Sequence, residues 1–338
     1  MQYRKLGTTD IEASVIGFGA WAIGGMMWGG SEEKDALRAI DAAIDHGINL
    51  IDTAPMYGCG RSEEILGKAI PAKRDKVVLA TKCGLRWDDK DWPVGEGTLK
   101  FYVDQNGVTK DASATRIYQY LRPKSIRYEV EQSLKRLRTD YIDLLQTHWQ
   151  DATTPIAATM ETLLKLKDQG KIRAIGVSNV TADQIREYLK IGPIDVVQER
   201  FSMIDRKIDD NGILEECRKN GISVLAYSPM SHGLLTGHIT PDRKFNPGDL
   251  RNGHPRFTPE NIEKINWMLQ EFTPIASKYH LASGQLVVAW TASHYEKMHV
   301  LCGARNDVQV AENAMPGDVL LTEDEMKIID DIVREFTR

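Results

Sequence analysis

The 338-residue chain is 42% hydrophobic and 27% charged, the composition of a folded globular protein with ample material for a core. Its net charge of -5 provides no broad cationic field to hold nucleic acid or an anionic membrane, so neither partner is expected. The polar start MQYRKLGTTD lacks a signal-peptide core and no run nears the roughly 20 apolar residues of a membrane span, which predicts a cytoplasmic location.

At the N-terminus, Tyr3–Leu6 and Ile11–Ser14 flank the polar turn Gly7-Thr8-Thr9-Asp10, a pattern that predicts a hairpin. Eight short apolar runs then predict strands: Val15–Phe18, Asn49–Asp52, Val77–Lys82, Tyr141–Thr147, Ala174–Val177, Val196–Gln198, Ser223–Tyr227 and Val300–Leu301. Helical stripes lie between them, among them Leu37, Ile40, Ile44 and Ile126, Val130, Leu134, Leu137. The alternation predicts an α/β fold, a (β/α)8 TIM barrel over residues 1–338 as one domain, with an open doubly wound sheet as the second choice. The hairpin would plug the barrel floor, and two additional outer helices are expected, one over Glu323–Phe336. Two connections, Gly84–Lys124 and Ser228–Pro259, exceed the usual length; both leave strand C-termini and should overhang the mouth.

Gly17-Phe18-Gly19-Ala20-Trp21-Ala22 fits a dinucleotide fingerprint, but its context does not. That motif should open a helix at once, whereas here a glycine-rich loop runs on to Gly30 and suits a pocket wall carrying Trp21 and Trp28. The four cysteines, Cys59, Cys83, Cys217 and Cys302, show no CxxC spacing, which predicts reduced thiols and no metal site.

Asp52, Tyr57, Lys82 and His148 each fall at or just after the C-terminal end of a predicted strand, so a closed barrel would bring them to one mouth. That set can move a proton. A tyrosine hydroxyl is a poor acid at neutral pH, and a nearby ammonium is expected to lower its pKa by about 1–3 units. Lys82 would be the ammonium, Asp52 its counter-ion, and His148 a neutral imidazole that orients a carbonyl oxygen.

Beyond these residues the chain resembles a known family. Asp52-Thr53-Ala54-Pro55-Met56-Tyr57-Gly58 with Ser62-Glu63-Glu64-Ile65-Leu66-Gly67 is similar to the signature of the aldo-keto reductases. The likeness continues through Thr81-Lys82, Ser133-Leu134-Lys135-Arg136-Leu137, Gly176-Val177-Ser178-Asn179, Tyr227-Ser228-Pro229 and Gly303-Ala304-Arg305. The resemblance implies a barrel, a nicotinamide cofactor and carbonyl reduction, with Tyr57 as general acid, tuned by Lys82 and Asp52, and His148 holding the substrate oxygen. It also implies cofactor contacts from Gly19, Ala20, Trp21, Asp52, Ser178, Asn179 and Gln198. Tyr227 would stack on the nicotinamide, and the Gly233–Gly237 turn would offer N–H groups to the pyrophosphate. Ser228, Pro229, Met230, Ser231, Gly233, Leu234 and Leu235 are included in that stretch, followed by Gly303, Ala304, Arg305, Gln309, Glu312 and Asn313.

Many relatives carry a lysine near Gly303-Ala304; its lack here leaves Arg305 as the main expected local cation, favouring NADPH over NADH. Trp21, Trp28, Tyr57, His148 and Trp149 are the expected substrate contacts, while His232 and His238 read as surface residues. Aromatic residues of the first long connection, Trp87, Trp92, Phe101, Tyr102, Tyr118 and Tyr120, predict a mixed wall suited to sugar-like or aromatic carbonyl compounds. The partner expected is a small carbonyl or alcohol, and a monomer is the default. Two other functions compete: an NADPH-binding regulatory subunit, since potassium-channel β subunits resemble this family, and a Schiff-base aldolase using Lys82.

Overall fold

The computed structural model describes residues 1–28, 30–87, 96–104, 107–246 and 248–337. Strands β1 (Tyr3–Lys5) and β2 (Glu12–Ser14) form the predicted hairpin, with Tyr3 opposite Ser14. Next come β3 (Ile16–Gly19), β4 (Leu50–Asp52) and β5 (Val78–Cys83), then β6 (Leu85–Trp87), β7 (Thr98–Asp104), β8 (Gly107–Thr109) and β9 (Thr115–Gln119). The chain continues through β10 (Ile142–Thr147), β11 (Ile172–Ser178), β12 (Val196–Arg200), β13 (Ser223–Tyr227) and β14 (Met298–Gly303). In parallel pairing, β3-β4-β5-β10-β11-β12-β13-β14 close into a barrel, β14 returning to β3.

The helices are α1 (Glu33–Asp45), α2 (Arg61–Ala69), α3 (Pro123–Leu137), α4 (Ile156–Asp168), α5 (Ala182–Leu189), α6 (Lys207–Asp210) and α7 (Ile213–Asn220), followed by α8 (Pro259–Glu271), α9 (Thr273–Lys278), α10 (Ser283–Ser293), α11 (Asp307–Ala314) and α12 (Glu323–Thr337). Their apolar stripes face the sheet: Ala36, Ala39, Ile40 and Ala43 of α1 are buried, as are Ile126, Val130 and Leu137 of α3. Thr181 and Gln184 cap α5 reciprocally. Helices α8 and α12 pack together outside the ring, as the two expected outer helices.

Strand periodicity sorts the barrel interior into layers. Leu50, Val78, Ala80, Leu144, Ala174, Val196, Leu225 and Leu301 cluster inside with Leu6, Ile11 and Ala13 of the hairpin, which therefore fills the floor. Because alternate residues share a face, the same strands present Asp52, Lys82, Gln146, Gly176, Gln198 and Tyr227 in the next layer toward the mouth. An apolar plug below thus carries a polar layer above.

The first long connection is not a bare loop. Strands β6 to β9 form an antiparallel sheet in the order β6-β9-β7-β8, its pairing irregular between Leu99 and Phe101. These strands escape the sequence because β6 and β8 are only three residues each, and because Thr98–Asp104 runs mostly exposed or half-buried without clean alternation. The second connection carries 3₁₀ turns at Ser231–Thr236 and Pro255–Phe257. After β3 comes a 3₁₀ turn, Ala22–Gly24, and α1 begins only at Glu33, which excludes the dinucleotide-fingerprint reading. Among the described residues no helix is long and apolar enough to cross a membrane, and no acidic, histidine or cysteine cluster is built to hold a metal.

Candidate active site

Tyr57 lies on the turn between β4 and α2, and its position is set by backbone packing. Gly58 has φ +67°, and a Cβ there would meet the Gly24 carbonyl oxygen at 2.5 Å, so only glycine lets the two turns touch. The family-like Ser62-Glu63 pair supports the same region: Ser62 Oγ donates to the Ala20 carbonyl, while Glu63 accepts from Thr81 and Arg136 at 2.7 Å each. These bonds tie α2 and α3 to β5, the strand that carries Lys82.

Lys82 is buried and its ammonium has all three protons partnered: Asp52 Oδ1 at 2.6 Å, the Thr53 carbonyl at 2.8 Å and the Tyr57 hydroxyl at 3.1 Å. The Tyr57 oxygen accepts there, which leaves its own proton free to point elsewhere. His148 meets the Tyr57 ring edge-on at 5.9 Å between centroids, its backbone N–H anchored on Cys83 and its carbonyl on Asn179. Asp52, Tyr57 and His148 line one cavity of about 660 Å³; Lys82 stands behind them. The four predicted residues are therefore brought together.

Their electrostatics depart from expectation in one respect. Burial raises the Tyr57 pKa above its ordinary 10.0, and the Lys82 charge opposes this without overcoming it, while Asp52 adds to the rise. The predicted lowering omitted desolvation, which penalises phenolate more than one already neutralised ammonium favours it. Burial also works against the Lys82 charge, but Asp52 and Tyr57 outweigh it and hold the amine protonated. A protonated amine donating three hydrogen bonds is a poor Schiff-base nucleophile, which counts against the aldolase reading. Burial and then Lys82 push His148 well below 6.5, so it is the expected neutral imidazole.

The cavity extends from this group along Gly19, Trp21, Ser178, Asn179, Gln198, Tyr227, Ser228, Pro229, Met230 and Gly233 to Gly303, Ala304, Arg305, Gln309, Glu312 and Asn313. Four expected contacts do not line it. Ala20, Ser231, Leu234 and Leu235 are buried behind the wall, and Ser231 instead accepts from Arg256. Nor are all the turn's N–H groups unhindered: those of Gly233 and Leu235 already bond the Met230 carbonyl. Asn179 receives the Tyr227 hydroxyl at 2.8 Å, and the Ser178 hydroxyl donates to the Gln198 carbonyl at 2.8 Å. Met27, Asn179, Ser228 and His232 all hold positive φ on this wall, backbone strain of the kind that collects at functional sites.

Several lining residues escaped the sequence reading. His232 is no surface residue: it packs edge-on against Trp21 and Trp28, and burial, then Arg200 and His254, push its pKa down to about 4. His238 is exposed but borders the cavity. Arg305 is not the main cation alone, since Arg243 and Arg251 line the same end, and burial and their charge lower its pKa. Asp249 binds Arg251 in bidentate fashion at 2.9 and 2.6 Å and also acts on the Arg305 charge, while among the described residues neither Arg243 nor Arg305 forms an ion pair. The Trp28 Nε1–H is buried with no partner among the described residues, a donor suited to a ligand. An elongated cavity with aromatic, amide and guanidinium groups in this sequence fits a dinucleotide cofactor.

Met26, Met27, Met56, Leu85, Phe101, Val108 and Trp149 give the same cavity an apolar stretch of wall. Among the described aromatic residues expected from the first connection, Phe101 alone reaches this cavity; Tyr118 and Tyr120 are buried away from it, and Trp92 lies outside the described residues. Trp21 stacks on Tyr57 at 6.0 Å.

Comparison with known proteins shows the family and the fold. The profile of the Aldo/keto reductase family matches residues 15–334. The chain is 40% identical to the NADH-specific methylglyoxal reductase of Escherichia coli (strain K12), over 100% of both proteins. It is 39% identical to an aldo-keto reductase of Bacillus subtilis (strain 168), over 97% of this chain and 92% of that one. Among solved structures, the glycerol dehydrogenase of Gluconobacter oxydans superposes with a TM-score of 0.85 at 38% identity, covering 99% of this chain and 95% of the other.

Proposed function

The chain belongs to the aldo/keto reductase family, an oxidoreductase acting on carbonyls with a nicotinamide cofactor, and from that premise we propose that it reduces a small aldehyde or ketone with Tyr57 as proton donor. The observation that carries this reading is the chain of contacts from Asp52 through Lys82 to the Tyr57 hydroxyl, 2.6 and 3.1 Å long. The cofactor supplies a hydride when bound. Tyr57 and the neutral His148 donate hydrogen bonds to the carbonyl oxygen, and Tyr57 surrenders its proton as negative charge develops there. Lys82 stabilises the resulting phenolate, which is the half of its role that burial does not cancel. Each donor aimed at that oxygen contributes about 3 kcal/mol of barrier lowering.

Gln198 and Tyr227 would hold the nicotinamide, the former by its carboxamide and the latter by stacking, with Ser178 and Asn179 orienting both. The apolar substrate wall favours short or aromatic carbonyl compounds, including 2-oxoaldehydes, over polyhydroxylated sugars, whose hydroxyls would find few partners there. The substrate of the methylglyoxal reductase relative is consistent with that class.

For the cofactor, the Arg243, Arg251 and Arg305 cluster favours NADPH, because its surplus charge suits an adenosine 2′-phosphate. NADH is favoured instead by the relative that is NADH-specific. The test is oxidation of each reduced nucleotide with methylglyoxal, an aromatic aldehyde and an aldose, in the protein and in Tyr57→Phe. Turnover lost in the variant, with nucleotide affinity kept, supports the reading. A protein that binds nucleotide without ever oxidising it is a regulatory subunit instead.

A further inference from the structure

Gln146 is fully buried on β10 and does not line the cavity. In register it stands between Lys82 of β5 and Gly176 of β11. Its Nε2 donates to Asp52 Oδ2 at 3.0 Å, the oxygen that also accepts from Gln198 Nε2 at 2.9 Å; Gln198 Nε2 in turn reaches Gln146 Oε1 at 3.2 Å. Asp52 Oδ1 is thereby left to Lys82. The side chain occupies space that its neighbour vacates: a Cβ on Gly176 would fall 2.7 Å from Gln146 Cγ. An apolar residue such as Leu144, one layer below on the same face, would fill the barrel without burying an amide, whose desolvation is costly unless both its ends are used.

We infer that Gln146 is a positioning residue for carbonyl reduction, locking the Asp52 carboxylate toward Lys82 and fixing the Gln198 amide that faces the cofactor end. This deepens the reductase reading and rests on it. With both Gln198 Nε2 contacts directed inward, no hydrogen bond among the described residues uses Gln198 Oε1, which remains to accept from a nicotinamide carboxamide. The charged and titratable groups facing this layer are Asp52 of β4, Tyr57 of the next turn, Lys82 of β5, His148 just after β10 and Tyr227 of β13.

Gln146→Met keeps the length and removes the donor. Without it Asp52 turns away, and both Lys82 and Tyr57 lose the negative charge that raises their pKa values. The basic limb of the pH profile for aldehyde reduction then moves to lower pH. Loss of a charged hydrogen bond lowers kcat roughly ten- to hundredfold, with aldehyde KM within about twofold because Gln146 touches no substrate. Gly176→Ala, which displaces the amide without deleting it, moves the limb the same way; thermal melting checks folding in both variants. A Gln146→Met enzyme with an unmoved limb overturns the inference, whether kcat is unchanged or falls only in step with folded fraction. Wild-type protein that never oxidises the nucleotide sinks the reductase reading and this inference together; active wild type beside an unaffected variant sinks only the latter.

Discussion

Gly58 and Gly24 touch backbone to backbone, and that contact determines where the Tyr57 hydroxyl stands. Gly58→Ala adds a Cβ 2.5 Å from the Gly24 oxygen at a residue with φ +67°. Strain of about 1–3 kcal/mol is expected, and the turn relieves it by carrying Tyr57 away from Lys82. The predicted outcome is a kcat loss far larger than the drop in melting temperature implies. Equal activity in the alanine variant would show that the turn does not position the acid.

The burial of Tyr57 and His148 predicts a broad pH range for reduction. Tyr57 must be protonated to act as acid, and burial raises its pKa above 10.0, so its proton is present throughout neutral pH and is lost only in strong alkali. His148, held well below 6.5, stays neutral on the acid side. The kcat/KM for an aldehyde should therefore stay level from about pH 6 to about pH 9. A limb near the ordinary histidine value that vanishes in His148→Asn would contradict the buried, neutral imidazole.

Arg305→Ala removes one of the three guanidinium charges of this cluster. If this cluster holds a 2′-phosphate, the NADPH-to-NADH ratio of kcat/KM falls about tenfold or more while NADH kinetics barely change. Equal losses with both nucleotides would place the arginine at a phosphate that the two share, and no loss with either would remove it from the site.

Glu199, next to Gln198 in β12, tests stability instead of turnover. Burial raises its pKa to about 7, although the Val180 and Asn179 N–H groups oppose the rise. Because the folded value exceeds the unfolded one, the proton-linked stability is complete below the ordinary carboxyl value of 4.5 and is lost as pH climbs to about 7. Glu199→Gln can still accept from Val180 and has no charge to desolvate. At pH 8 it should be more stable than wild type by up to about 3 kcal/mol, and the advantage should disappear near pH 4.5. Melting curves at both pH values decide it; an advantage independent of pH rules out the buried carboxylate as its cause.

The division between what the chain spells out and what folding decides follows from the range of the forces involved. Strand and helix periodicity arise from local backbone geometry, so the eight barrel strands, the hairpin plug and the C-terminal helix are written along the sequence, and barrel topology then carries Asp52, Tyr57, Lys82 and His148 to one mouth. Gln146 was also within reach, since it follows Leu144 on one face of a single strand two residues before His148, yet its importance shows only when Asp52 and Gln198 arrive from other strands. His232, Arg243 and Arg251 gained their places because the segment after β13 folds back over Trp28, a long-range contact with no local signature. Strands β6 to β9 depend likewise on the apolar cluster of Met56, Leu85, Val103 and Ile117 that they share. Above all, the direction of the Tyr57 pKa shift belongs to the tertiary structure alone: the sequence names the neighbouring ammonium, but exclusion of water depends on every element packed around the phenol, and here that exclusion outweighs the charge.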